Sequence, residues 1–332
     1  MTSVWPSLLA AWFAGLTACG CSVDQRSLGS LGAPQGEAGT AADVLVDAPV
    51  DGPVDASVDG LTDSQDALAG EADAGPEIWV PFQPPSLHPA LANLPASQAD
   101  PTLTADELEL YFSSNPNTDY DIWLVQRASS TAPWGTPAKV DQLSSTSLDE
   151  TPEVSADGLT IYLASDRAGA GEHLWVSHRA TRADSWDTPV PVTDFVGGDK
   201  DLSPSLQRDQ LMMAFASLRG GDWDIYITTR RLITDPWGPP RALSELNSTA
   251  YDWDPALYRG GNSIMFASRR SNPLNSLFHA ARGSAAESFS APQEATEFNV
   301  LGNAGDPWLS DDGRHIVFDS RGGPSKIYEA YR

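Results

Sequence analysis

The sequence predicts an all-β ring of five four-stranded sheets, and three observations carry that prediction. First, a Pro-led sentence recurs at Pro101, Pro152, Pro204, Pro255 and Pro307, at intervals of 51, 52, 51 and 52 residues. Second, apolar residues inside each copy fall two apart, which is strand periodicity. Third, the last copy runs out after its third strand, while a fragment that reads as a fourth strand stands ahead of the first copy. A single small sheet cannot bury both of its faces. Sheets arranged radially cover one another, and the ring must close to protect its ends. The expectation is a five-bladed β-propeller closed by an N-terminal strand, preceded by a signal peptide and a disordered linker.

Taken in chain order, residues 1–18 read as a secretory signal. An apolar stretch from Leu8 to Leu16 leads to small residues and a Cys, and it is too short to span a bilayer. "LTAC" resembles the bacterial lipoprotein box, which implies a lipid on the Cys19 sulfur and cleavage just before it. The segment ahead of it, "MTSVWPS", lacks the Lys or Arg usual in such signals. Cys21 is given no role.

Residues 19–77 read as a disordered acidic tether. Asp recurs at 43, 47, 51, 55, 59 and 63. On a helix that period would stack like charges, and Pro49 and Pro53 oppose a helix as well. With few large apolar groups to offset ordering entropy, the stretch is expected to stay solvated and extended.

The propeller is expected over residues 78–332, with repeats starting near 100, 151, 203, 254 and 306. Each copy places an aliphatic two residues after the Pro: Leu103, Val154, Leu206, Leu257 and Leu309. Nine after it stand Leu110, Ile161, Met213, Ile264 and Ile316. Eleven after it stand Phe112, Leu163, Phe215, Phe266 and Phe318, and thirteen after it a Ser in every copy, from Ser114 to Ser320. Asp157-Gly158 and Asp312-Gly313 supply hairpin turns between the first two strands, where Gly tolerates positive φ. Third strands follow as "DIWLVQR", "HLWVSHR", "DIYITTR", "LFHAAR" and "KIYEAYR". A fourth is signalled by an aromatic and a Pro three apart, as in Trp134/Pro137, Trp186/Pro189, Trp237/Pro240 and Phe289/Pro292. Phe82 and Pro85 repeat that signature, so residues 82–93 are expected to complete the fifth blade as a latch.

The bulk numbers exclude some functions. With 45 Asp plus Glu against 20 Lys plus Arg, the net charge of −25 leaves no positive footprint for nucleic acid. The two Cys lie at 19 and 21, so the propeller has no disulfide or thiolate site. No HExxH, P-loop, G-x-S-x-G elbow or dinucleotide fingerprint is present, and the five His are scattered. No cofactor and no metal are expected.

The pattern P-x-x-S-x-D-G…I-Y-x-x-S-x-R…D-I-Y, best seen over residues 152–167 and 217–226, resembles the WD-like repeat of TolB-type β-propellers. The resemblance covers residues 82–332. TolB itself has six blades and an N-terminal α/β domain. Five copies and an acidic tether stand here instead, so TolB's own partner is not implied. What the resemblance implies is extracytoplasmic binding, in a monomeric propeller at the bacterial cell envelope, on the outer-membrane or periplasmic side.

Candidate binding residues follow from loop placement. Loops before the innermost strand carry Asp100, Asp149, Glu150, Asp201, Asp252, Asp254 and Asp306. Loops between second and third strands emerge on the same face with Arg167, Arg219, Arg269, Arg270 and Arg321. These Arg either pair with the acids to staple blades or leave a ring of carboxylates that attracts a cation or a basic peptide. Trp134, Trp186 and Trp237 recur with the blade and read as core. Trp223, Trp253 and Trp308 do not recur, and either stack on a sugar, anchor a peptide or fill a gap. The expected role is binding of an envelope protein, peptide or glycan, with membrane attachment through the lipid. The alternative is a glycan-active hydrolase using channel carboxylates, with Glu153, Asp100 and Asp306 as candidates by position.

Overall fold

The computed structural model describes residues 78–116, 119–169, 171–194 and 200–332. The signal segment, Cys19, Cys21 and the acidic stretch lie outside the described residues. Among the described residues, twenty strands form five four-stranded antiparallel sheets. β1 (Ser86–Leu87) comes first. Blade 1 is β2 (Gln98–Leu103), β3 (Glu109–Ser114), β4 (Asp121–Gln126) and β5 (Ala138–Lys139). Blade 2 is β6 (Asp149–Val154), β7 (Thr160–Ser165), β8 (His173–His178) and β9 (Val190–Pro191). Blade 3 is β10 (Asp201–Leu206), β11 (Met212–Ser217), β12 (Asp224–Thr229) and β13 (Arg241–Ala242). Blade 4 is β14 (Asp252–Tyr258), β15 (Ser263–Ser268), β16 (Ser276–Ala281) and β17 (Gln293–Glu294), followed by a 3₁₀ turn (Thr296–Leu301). Blade 5 is β18 (Ala304–Leu309), β19 (His315–Ser320) and β20 (Lys326–Tyr331), with β1 as its outer strand.

The ring closes as the sequence predicts. Ser86 pairs with Glu329 and Leu87 with Tyr328. The Gln83 and His88 amides extend the ladder by donating to the Tyr331 and Ile327 carbonyls, at 2.8 and 3.0 Å. The innermost strands β2, β6, β10, β14 and β18 pack in sequence around a central channel, and β18 meets β2 to complete the circle. Every outer strand is only two residues long. Pro and Gly after the aromatic explain this: Pro has no N–H for a ladder, so an edge is the place that tolerates it.

Between blades, second-strand side chains fill the core. Leu110, Phe112, Phe215, Ile264, Phe266, Ile316 and Phe318 are all fully buried. Trp186 and Trp237 are buried and Trp134 partly so. Each aromatic of that series lies under an Arg that ends a third strand. The guanidinium-to-ring distances are 4.5 Å for Arg127 on Trp134, 4.4 Å for Arg179 on Trp186, 4.2 Å for Arg230 on Trp237 and 4.4 Å for Arg282 on Phe289. In blade 5 the same contact joins Arg332 to Phe82, at 4.7 Å. The Nε of all five Arg donates to a carbonyl of the first hairpin, on Glu107, Gly158, Gln210, Gly261 and Gly313. Phe82 thus holds a repeat position although it lies ahead of the first repeat.

Candidate functional site

Each innermost strand breaks its ladder at the same point, where the residue before the repeat Pro and the Pro itself form a bulge. Pro cannot donate to the ladder, and a bulge accommodates the missing bond. The preceding residue adopts left-handed backbone in every blade: Asp100 (φ 54°), Thr151 (48°), Ser203 (49°), Asp254 (52°) and Asp306 (47°). That conformation costs a non-Gly residue on the order of 1–2 kcal/mol, and Asp tolerates it better than most.

A belt of hydrogen bonds runs round the channel through these five residues. The Thr151 amide donates to Asp100 Oδ2 (3.2 Å) and the Ser203 amide to Thr151 Oγ1 (3.2 Å). The Ser203 hydroxyl donates to Asp254 Oδ1 (2.8 Å), and the Asp306 amide to Asp254 Oδ2 (3.3 Å). Arg321 closes the circle. Its Nη2 donates to Asp306 Oδ2 and lies 3.7 Å from Asp100 Oδ1.

A second belt lies two residues further along the strands. The Thr102 hydroxyl accepts from the Val154 amide and donates to Glu153 Oε2 (2.8 Å). Glu153 Oε1 accepts from the Leu206 amide (2.7 Å), and Ser205 Oγ from the Leu257 amide (2.8 Å). Ala256 and Trp308 occupy the remaining positions and supply no acceptor. Glu153 is therefore a channel-wall residue that bridges three blades. Burial pushes its carboxyl up to about 7, against the pull of the Leu206 amide and the Thr102 hydroxyl. The channel holds a cavity of about 100 Å³ that runs from the first belt past the second to Ala105, Ala156, Arg208 and Asp311.

The predicted Arg and acids sort into two groups. Arg167, Arg219 and Arg270 each stand two residues after the repeat Ser. Their Nε donates to that Ser hydroxyl, at 2.9 Å in all three, and their Nη2 pairs with Asp149, Asp201 and Asp252 of the same blade. These are staples within a blade. Arg321 stands one residue after Ser320, out of register, and Ala304 occupies the position where the other staples find their Asp. With no partner there, Arg321 turns to Asp306, and its Nε reaches Asp319 Oδ2 at 3.2 Å.

Five carboxyls thus converge on one guanidinium: Asp100, Glu150, Asp254, Asp306 and Asp319. Burial, with Asp254, Asp100 and Asp319 adding to it against Arg321, pushes Asp306 well above the usual carboxylate range. Burial raises Asp319 too. Glu150 rises to about 8, through burial first and then the charges of Asp100 and Glu172. Asp306 and Asp319 hold Arg321 above its ordinary value.

Arg269 is also out of register. It lies over Trp253 (4.8 Å) and Tyr251 (5.3 Å), and its Nε donates to Asn275 Oδ1 (2.9 Å). Trp223 packs on Trp253 at 6.3 Å, so two of the non-repeating Trp share one cluster. Trp308 stands apart from it, in the second belt, edge-on to His315 at 5.9 Å. Sequence reasoning passed over Thr151, Ser203, Asp319 and Asn275. The one-residue offset of Arg321 from its Ser was the available signal. Among the described residues no group of three or more His, Cys, Asp or Glu is placed to hold a metal ion, and no helix is long and apolar enough to cross a membrane.

No protein-family model matches the chain, and no curated protein matches it in sequence. Solved structures do. An endo-arabinase from Bacteroides thetaiotaomicron aligns over 74% of this chain and 97% of its own, at 16% identity and a TM-score of 0.52. A thermostable family-43 glycoside hydrolase aligns over 71% and 88%, at 12% identity and a TM-score of 0.50. A putative TolB from Agrobacterium tumefaciens aligns over 71% and 83%, at 15% identity and a TM-score of 0.47. Such identities speak to fold alone. The propeller that the TolB-like repeat implies is the fold observed: the chain is a five-bladed β-propeller, closed between its first and last strands.

Proposed function

We propose that this chain is a binding module of the bacterial cell envelope, attached to a membrane through a lipid on Cys19. Its ligand, an envelope protein, peptide or glycan, docks at the channel mouth on the face of Arg321. One observation carries this reading. Asp149, Asp201 and Asp252 are each matched by a repeat Arg, whereas five carboxyls at the mouth gather round Arg321. Such an excess at a concave, partly desolvated opening focuses potential outward. Solubilised envelope extract passed over the immobilised protein tests it. A specific envelope component should be retained, and lost when Arg321→Ala and Asp254→Asn are combined. Equal retention by that variant would remove the mouth from the reading.

A second reading, a glycan-active hydrolase, has its own support in the mouth. Burial and its acidic neighbours raise Glu150 to about 8, within a group of carboxyls gathered round Arg321, and glycoside hydrolysis uses a protonated carboxyl beside a second one. Release of new reducing ends from an envelope polysaccharide, abolished by Glu150→Gln, would favour it over simple binding.

A further inference from the structure

The mouth carries more carboxylate than the molecule itself can answer, and two of its atoms are left over in an informative way. Asp319 is fully buried, and its Oδ2 accepts from Ser325 (2.6 Å) and Arg321, but its Oδ1 has no hydrogen-bond partner. Asn275, 3% exposed, has its Oδ1 taken by Arg269, and its Nδ2 has none. Both face the space over Gly305. A methyl group there would stand 3.1 Å from Asp254 Oδ2, 3.3 Å from Asp319 Oδ1 and 3.6 Å from Asn275 Nδ2. Glycine at 305 lets these side chains approach the backbone that closely. Among the described residues, no hydrogen bond or ion pair reaches the Glu150 side chain, which stands half-buried within range of Asp100, Glu172, Asp254 and Arg321.

We propose that the mouth seats the protonated amine or guanidinium of a Lys or Arg side chain, presented by an extended segment of a partner protein. This deepens the binding reading above and rests on it. The charge fits: five carboxyls against one guanidinium leave room for a second cation without forcing carboxylates to hold protons. Asn275 Nδ2, the spare donor beside the spare acceptors, matches a main-chain carbonyl of the same segment. That selects a peptide over a simple polyamine.

A cation placed there favours ionised carboxylates, so the bound state releases protons wherever Glu150 is still protonated in the free protein. Glu150 rises to about 8 through burial and its acidic neighbours, opposed by Arg321. Affinity therefore climbs as pH rises from 6 to 9.

The test is calorimetric titration of the full chain with an acetylated, amidated decapeptide carrying Lys at alternate positions. The acetyl-lysine form of the same peptide and neutral cello- and chito-hexaose serve as comparators. The expected result is one-to-one binding of the lysine peptide only. Affinity should fall at least tenfold in Glu150→Gln and in Asp319→Asn, and stay unchanged in Asp235→Asn, which removes a charge on the opposite face. Gly305→Ala is a further variant with no left-handed backbone to strain, and it should weaken binding by pushing the Asp254 and Asp319 carboxyls aside. Equal binding by all variants would overturn the proposal, by showing adsorption to overall charge. A neutral hexaose bound in a Glu150-dependent way would overturn the ligand class and leave the mouth in place. Binding of none of these probes would overturn the proposal, while retention of an envelope component that depends on Arg321 would still support the mouth as a site.

Discussion

Replacing Glu109 by Ala removes the centre of the staple between blades 1 and 2. Glu109 Oε2 accepts from Arg179 Nη2 (2.6 Å) and the Tyr111 hydroxyl (3.1 Å), and its Oε1 from Arg182 Nε and Gln126 Nε2 (3.1 Å each). The Glu109 and Arg179 side chains are each 3% exposed. Arg179 would keep its bonds to the Gly158 and Arg182 carbonyls and its place over Trp186, but not a counter-charge. Breaking a buried pair from one side costs about 3–5 kcal/mol. For a domain of this size each kcal/mol is worth about 2–4 °C, so the melting temperature should fall by about 6–20 °C. Circular dichroism melts of the purified protein give that number. A double variant, Glu109→Leu with Arg179→Leu, should recover most of the loss, because both charges leave together. The reasoning fails if Glu109→Ala melts within about 2 °C of the parent, or if the double variant is worse than the single one.

Phe82→Ala should cost about 3–5 kcal/mol, as for other buried aromatics. Its ring packs on Phe298 at 5.6 Å and under Arg332, so amide exchange should accelerate first in β20. Acid should loosen the closure. Burial lowers His88 to about 4, while the unfolded value is near 6.5. The unfolded chain thus binds the extra proton, and stability worth about 3 kcal/mol is present above pH 6.5 and is lost as pH falls toward 4. His315, raised by Glu107 and Glu329 despite its burial, has the opposite sign and contributes below pH 6.5. Melts from pH 7.5 to 4.5 should show the fall, and His88→Gln should flatten it. Finally, Cys19→Ser should move the protein from the membrane fraction to the soluble one; unchanged membrane retention would exclude a lipid at that position.

The blades were readable because the repeat fixes them residue by residue. Pro101 and its equivalents mark the bulge, the Ser thirteen later marks the end of the second strand, and the step of two between them is a strand. Phe82 betrayed the latch, since an aromatic and a Pro three apart had already been counted in four blades. The mouth was harder. A residue before Pro reads as ordinary extended chain, so nothing local announces that Asp100, Thr151 and Ser203 turn left-handed. Arg167 and Arg321 look alike in a loop, yet one pairs within its blade and the other with three acids of the mouth. The difference lies in Ala304, 17 residues before Arg321 in sequence and adjacent only after β18 pairs with β19. Likewise the Arg that ends every third strand was plain in the sequence, but its stacking partner lies in the loop leading to the fourth strand.

The two-rung seam at Ser86 and Leu87 also has a mechanical meaning. A tug on the chain at Ile78 meets the rings of Trp79 and Phe82, clamped on Arg332, and then the short ladder against β20 from the Gln83 amide through Ser86 and Leu87 to the His88 amide. Blade 4 shares the first load, because Trp79 stacks on His279 at 3.7 Å and the Phe82 amide donates to Glu297 Oε1 at 3.2 Å. Force along the polypeptide would therefore open the disc at one known place, like a bracelet at its clasp, and leave the remaining links folded.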